Sequence, residues 1–309
     1  MIEGTATPSG HVIVAVDGSP AADNAVDWAA DEAALRGTEL EVLHAWEWKA
    51  YEASDWYGHH LYNVSSEVVH KASERARRRR PELKVTTTVE HGPAEEVVTT
   101  ASGRAGLMVT GSRGLGGFAG LLLGSVSRAV AAEGRCPLLV VRSGTDGTAE
   151  PPVDEDFLRP DGRPVLVGVS DETCRPAVEA ALVEAVDRHR PLRALYAWSF
   201  PDMPVLAAVP VGPSSEAVRT CQRNGETILS QTLAPVLERY EDQYKGVEVT
   251  PDVVNAPRAT AMVDASETAS LVVIATRRRP GRVGRHLGPV THALLHHSHA
   301  PVLLIPVGA

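Results

Sequence analysis

The stretch V-T-G-S-R-G-L-G-G-F-A-G-L-L-L-G-S-V-S-R-A-V-A-A-E-G-R-C-P-L-L-V-V-R runs from Val109 to Arg142 and begins inside an apolar strand that opens at Leu107. Glycines at 111, 114, 116, 117, 120 and 124 follow, and Gly124-Ser125 then opens a short amphipathic segment, Val126 to Glu133. Strand, glycine-rich loop and helix start, in that order, predict an anion site: the first turn of a helix has unpaired N–H groups and a partial positive charge. Glycines let the main chain approach an anion and tolerate the positive φ that makes successive N–H groups converge. Ser125 adds a hydroxyl at the expected N-cap.

Two common phosphate loops do not fit. A Walker A loop needs a lysine before its Ser or Thr, and Ser125 follows Gly124. Gly114-Leu-Gly116-Gly-Phe-Ala119 satisfies the loose dinucleotide fingerprint, but that motif belongs on the first strand-to-helix turn, with an acid about 20 positions on. Here the following strand ends in Arg142. What remains is Gly111-x2-Gly114-x9-Gly124-Ser125, which resembles the glycine signature of the ATP-binding branch of the universal stress proteins. The alternative on pattern alone is a flexible surface loop.

The resemblance implies a fold and a site. The fold is α/β, with tandem doubly wound, Rossmann-like domains, each a five-stranded parallel sheet flanked by helices. The ligand is ATP with Mg2+. Contacts fall on Gly111, Gly114, Gly124 and Ser125, on the Asp17 carboxylate, and on Ala45, whose backbone reads adenine, with Ala15 at the same sheet edge, both alanines being small core residues on sequence alone. Ser112 and Arg113, inside the loop, read equally as phosphate contacts or as exposed loop residues. Asp17 also ends the first strand where open α/β sheets bind ligands, the other reading being an Asx turn onto Ser19. The resemblance further implies a cytoplasmic regulator with no catalytic residues, whose halves pair through their last strands and whose chains form a homodimer.

The chain reads as two copies of one plan. At 309 residues it suits two domains of roughly 150 residues. His11 to Asp17 reads as a buried strand, Ser19-Pro20 as the cap and first turn of a helix ending at Arg36-Gly37, and L-E-V-L-H-A-W as strand two. An irregular aromatic stretch through Tyr57 is expected next, then a helix from Ser65 to Arg80, strand Lys84 to Glu90, helix Ala94 to Ser102, strand Leu107 to Thr110 and strand Pro137 to Val141. Strands alternating with helices predict a mostly parallel sheet. A polar, Pro/Gly-rich, acidic segment between Ser143 and Pro164 separates the copies, giving domains 1–146 and 164–309 with a linker at 147–163.

After it, V-L-V-G-V-S-D echoes the first strand, L-Y-A-W-S-F answers L-H-A-W-E-W, and A-P-V-L-L-I-P answers C-P-L-L-V-V-R. In register, Arg278 replaces Gly114 and Pro289 replaces Ser125, so the signature is degenerate and one competent site, in the first half, is expected. The alternative is that Arg277, Arg278, Arg279, Arg282 and Arg285 hold phosphate by side-chain charge.

Composition narrows the remaining classes. Acidic residues (39) outnumber basic ones (30), for a net charge of -9, which argues against a nonspecific nucleic-acid partner. The basic run from Arg75 to Arg80 reads as a solvated helix end. His296, His297 and His299 read as surface histidines at a helix end rather than a metal cluster, and His44 as a half-buried strand residue. Cys136, Cys174 and Cys221 fit neither a disulfide framework nor a zinc site, and nothing resembles a membrane span. Slow ATP hydrolysis or transfer is the enzymatic alternative, but the loop lacks lysine and D-G-S-P replaces the S-G-G-x-D-S of ATP pyrophosphatases. A nucleotide-free dimeric scaffold is the third reading.

Overall fold

The computed structural model describes residues 10–47, 55–114, 123–142, 162–200, 216–241, 246–277 and 287–308. Short β-branched runs form the strands, and Ala-rich stretches between them form helices whose apolar stripe lies on the sheet. In the first half these are β1 (Val12–Ala15), α1 (Pro20–Leu35), β2 (Leu40–Trp46), α2 (Asp55–Arg79), β3 (Val85–His91), α3 (Ala94–Ala101), β4 (Leu107–Gly111), α4 (Ser125–Glu133) and β5 (Leu138–Val141). The second half repeats them as β6 (Val165–Gly168), a single 3-10 turn (Glu172–Cys174), α5 (Arg175–Asp187), β7 (Leu192–Trp198), α6 (Glu216–Arg239), β8 (Val249–Asn255), α7 (Arg258–Ser266), β9 (Leu271–Arg277), α8 (Pro289–His297) and β10 (Val302–Val307). Ser19 caps α1 as its sequence indicates, its Oγ accepting from the Ala22 N–H at 3.2 Å.

All ten strands share one sheet, in the order β3-β2-β1-β4-β5-β10-β9-β6-β7-β8. Neighbours run parallel except at the centre, where β5 and β10 are antiparallel. There Leu139 pairs with Leu303, its own counterpart in the second copy, so a pseudo-twofold axis passes through that pair. Every parallel strand directs its carboxyl end to one edge within its half, and chain reversals there leave room for a ligand. Alternate strand residues feed two apolar layers: Val12 and Val14 face the layer under α1 and α2, while Ile13 faces the one under α3 and α4.

The structure departs from the sequence reading in the second helix. α2 starts at Asp55, ten residues before the expected Ser65, so Trp56 and Tyr57 lie in a helix; Trp48 and Tyr51 lie outside the described residues. Of the arginines at its end, Arg77 and Arg78 are exposed as expected, whereas Arg75, Arg79 and Arg80 are half-buried in ion pairs. Asp27 and Asp31, one turn apart on α1, face them: Arg75 grips Asp27 with two bonds of 2.8 and 2.6 Å, and Arg79 and Arg80 converge on Asp31, with Arg79 Nη2 at 2.6 Å and Arg80 Nε at 2.8 Å. Burial raises the Asp31 pKa although Arg79 and Arg80 oppose it. The two helices are thereby held by charge-assisted bonds in addition to the apolar packing of Val26 and Ala29 with Val69, Ala72 and Ala76 in one core.

A second set of charges is shared between the halves. Glu32 and Arg36 at the end of α1 are matched by Glu184 and Arg188 at the end of α5, at the same 152-residue offset that relates Leu40 to Leu192. Arg36 bonds Glu32 at 3.1 Å and Glu184 at 2.6 Å; Arg188 bonds Glu184 and Glu32. Three of the four side chains are almost wholly buried: Arg188 is 2% exposed, Glu32 3% and Glu184 4%. Burial opposes the Glu32 charge, yet Arg188 and Arg36 outweigh it and hold the carboxyl below its ordinary value. Burial lowers the Arg188 pKa too, but a guanidinium stays protonated at any neutral pH.

One residue past each quartet arginine the backbone turns left-handed, at Gly37 (φ 61°) in the first copy and at His189 (φ 52°) in the second. Glycine adopts that conformation without the Cβ penalty, so His189→Gly is expected to stabilise the protein by about 0.5 kcal/mol. A higher urea midpoint with an unchanged slope would confirm it; a lower midpoint would show that the histidine ring does something the backbone does not reveal.

Candidate functional site

At the carboxyl edge of the first-half strands lies a cavity of about 450 Å3, within the usual range for a small-molecule site. β1 contributes Ala15 and the residues after it, Val16 and Asp17; β2 contributes Leu43 and Ala45; β4 and its loop contribute Gly111, Arg113 and Gly114; Gly124 and Ser125 come from the start of α4. Eight of the nine residues picked out from sequence therefore meet in one place. Ser112 does not line it. That residue is 3% exposed and forms the floor of the turn, its N–H donating to Val141 O and its carbonyl accepting from Gly124 N–H, each at 2.7 Å.

The glycines work by close approach rather than by left-handed backbone. Gly111, Gly114 and Gly124 are not among the positive-φ residues. A Cβ on Gly111 would stand 2.8 Å from Ala21 O, and one on Gly114 would overlap Asp17 Oδ2. Gly124 meets nothing closer than 3.5 Å, so its missing side chain keeps the cavity open instead of relieving a clash. Gly124, at φ -71° and ψ 157°, is itself the N-cap of α4, and Ser125 is the first helical residue. The expected capping role of the Ser125 hydroxyl is therefore not made; its side chain borders the cavity.

Asp17 makes the Asx turn, its Oδ1 accepting the Ser19 N–H at 3.0 Å, and it also lines the cavity. His44 is half-buried and its Nδ1 meets Val16 O at 2.7 Å, which steadies the backbone next to Asp17. Sequence reasoning passed over Val98, Thr110 and Ser127. Ser127 Oγ donates to Gly111 O at 2.8 Å and accepts from Thr110 Oγ1 at 3.1 Å, tying α4 to the end of β4. The hint was a hydroxyl on the same helix turn as Ser125. Val98, from α3, closes the apolar side of the cavity.

Among the described residues, the matching edge of the second half is built from the same elements but carries larger side chains. Gly168 stands for Ala15, and the Met262 thioether, where the first half has Val98, lies within about 3 Å of where a Gly168 Cβ would be. Met262 is 3% exposed. Arg258, replacing Ala94, donates from Nε to Ala197 O at 3.2 Å, occupying the carbonyl that corresponds to Ala45. Arg277 Nη2 bonds both oxygens of Asp171, at 2.8 and 2.7 Å. Those partners, with the Thr173 hydroxyl bond foremost, hold the Asp171 carboxyl at about 2. Arg278, Arg279, Arg282 and Arg285 lie outside the described residues.

Other sequence expectations resolve simply. His296 and His297 end α8 with His292 stacked on His296 at 4.2 Å, and no group of three or more metal-ligating side chains occurs among the described residues. None of the three cysteines is in a disulfide. No described helix is long and apolar enough to cross a membrane.

Comparison with known proteins completes the site. The profile of the universal stress protein family matches residues 9–142 and again 162–306. A universal stress protein of Mycobacterium tuberculosis strain CDC 1551 is 32% identical over 316 residues, covering 95% of this chain and 94% of that protein. A second, from strain H37Rv, is 33% identical over 313 residues, covering 95% of each. The crystal structure of a universal stress protein from Archaeoglobus fulgidus superposes with a TM-score of 0.66 at 17% identity, covering 97% of this chain and all of that one, a likeness of fold.

Proposed function

We propose a function from one premise: the chain belongs to the universal stress protein family. In this reading the protein is a regulator that binds one ATP per chain, in the first half, with Mg2+ carried on the triphosphate. Adenine lies on the Ala15, Ala45 and Val98 side of the cavity, Asp17 takes ribose hydroxyls, and the phosphates run along the main chain from Gly111 to Gly114 towards the start of α4. The lining residues fit such a guest: bare backbone, a helix start and Arg113 for the anion, and aliphatic carbons for the base.

The observation that carries the proposal is the difference between the two copies. The first leaves an open cavity, whereas the second fills the equivalent space with Met262 and covers the equivalent carbonyl with Arg258. We assign the second half to pairing and regulation. Asp17 is the one carboxylate lining the cavity, too few acids to hold paired catalytic metals, which favours binding over turnover. Occupancy would act by changing how the chain associates with a second copy or a regulatory protein in the cytoplasm.

Mass spectrometry of nucleotide released from denatured, freshly purified protein tests this. One intact ATP per chain is expected. Two per chain would restore a site to the second half, stoichiometric ADP would indicate an ATPase, and an empty protein would indicate a scaffold. Removing the nucleotide should shift the sedimentation coefficient; an unchanged coefficient and unchanged partner capture would end the regulatory part.

A further inference from the structure

The pseudo-twofold axis repeats the ion quartet but not the charges beside the cavity. Val141 closes β5 opposite Gly111, so Arg142 follows alongside Ser112 and Arg113, and of these three Arg113 lines the cavity. On its other flank, the antiparallel pairing of Val140 with Val302 brings Arg142 to the chain just after α8, near Ala300. Arg142 Nη1 is buried without a hydrogen-bond partner. Burial lowers the pKa of this guanidinium, and the Arg113 charge lowers it further.

Imidazoles of the second half stand on the other side. His296 stacks on His292 with ring centroids 4.2 Å apart and lies 6.1 Å from His297. Its imidazole is held below the usual value by burial first, then by His292, His297, Arg142 and Arg128. The nearest acid on a packed neighbour, Glu267 of the α7–β9 turn, is taken by His299 at 3.6 Å. At the pseudo-symmetric positions, Pro306 stands for Arg142 and Ala132 for His296, so this arrangement occurs once, on the side of the intact glycine loop. A buried unpartnered donor amid like charges is the environment that an incoming anion stabilises most.

Resting on the ATP reading above, we propose that Arg142, with Arg113 and the His292–His296 pair of the second half, binds a phosphate group, which makes the second half a reader of how many phosphates the nucleotide carries. The group is either the distal phosphate of the bound nucleotide or free inorganic phosphate; both present the same tetrahedral dianion to a guanidinium fork.

Calorimetry and imidazole 1H–15N spectra of the full chain, with ATP, AMP and inorganic phosphate as probes, test it. ATP is expected to move the His296 resonances and AMP to leave them in place. Arg142→Gln should weaken ATP about tenfold, the usual scale for losing one charge-assisted bond, without changing AMP affinity. Arg142→Lys, which keeps the charge and guards against a folding artefact, should recover part of the loss. If inorganic phosphate moves His296 and ATP then competes with it, the distal phosphate is the ligand; if both act together, free phosphate is. A protein that binds no adenine nucleotide yet moves His296 with phosphate would sink the ATP reading and keep this one. ATP binding that ignores Arg142→Gln, with His296 unmoved by any probe, would overturn it and leave the ATP reading standing.

Discussion

Gly114→Val is expected to abolish ATP binding, weakening it by at least about 100-fold, while the protein melts within about a degree of the parent. A Cβ at 114 would overlap Asp17 Oδ2, the end of a flexible side chain, so that oxygen must turn out of its present place. On the proposed ATP reading, the valine would both displace the carboxylate assigned to the ribose and cover the backbone assigned to the phosphates. Losing a charged hydrogen bond and a main-chain approach together accounts for a change of two decades or more. Stability is spared because Gly114 is not in the left-handed region and lies at the edge of the cavity rather than in a core. Gly111→Val is the contrasting case. Its Cβ meets the backbone of Ala21, with O at 2.8 Å and C at 2.9 Å, so it should loosen the joint between β4 and α1 and lower the melting temperature as well. Calorimetric titration with ATP next to a thermal melt separates the two; undiminished affinity in Gly114→Val would mean the loop does not hold the nucleotide.

Arg188→Met should cost about 3–5 kcal/mol, the scale set by stranding a buried charge. Glu32 and Glu184 would then share Arg36 alone, which already bonds both. The sign with pH follows from Glu32: Arg188 and Arg36 hold its carboxyl below the ordinary glutamate value in the folded state, so the quartet's contribution is present above that ordinary value and is lost as the pH falls through the depressed one. The variant should therefore differ most from the parent near neutrality and converge on it in acid. Replacing all four charges by apolar side chains of like volume is expected to recover most of the loss, since the desolvation they impose disappears with them. Urea titrations of both proteins at pH 7 decide the matter, and a loss under 1 kcal/mol for Arg188→Met would show that the quartet is solvated in practice.

Much of this architecture was legible from residues alone. Strands such as L-E-V-L-H-A-W and helices such as α1 carry strong periodicity, and the elements of the second half follow by repetition. The glycine loop announced the cavity, and eight of nine chosen residues line it. The start of α2 was hidden because its first ten residues carry aromatics and polar groups without an apolar stripe, so no 3.6-residue period marks them. The ion quartet was hidden for another reason: Glu32 and Arg36 four apart look like any solvated helix pair, and only the pairing of β5 with β10 buries them. The arginines of α2 misled in the same way, because their partners Asp27 and Asp31 lie 48 positions away. In the second half, degeneracy could be read from Arg278 and Pro289, but not that Met262 and Arg258 refill the vacated volume; one methionine for one valine looks conservative until its thioether is seen against Gly168.

The junction at Leu139 and Leu303 settles a question of stoichiometry. Two such domains made as separate polypeptides with equivalent fifth strands would sort into three dimers, two of them matched and one mixed. Covalent fusion delivers only the mixed species, in a fixed one-to-one ratio at any expression level, because the tethered neighbour outcompetes every free copy for that edge. With the one site per chain proposed above, each molecule would report a single occupancy instead of a statistical blend of none, one or two.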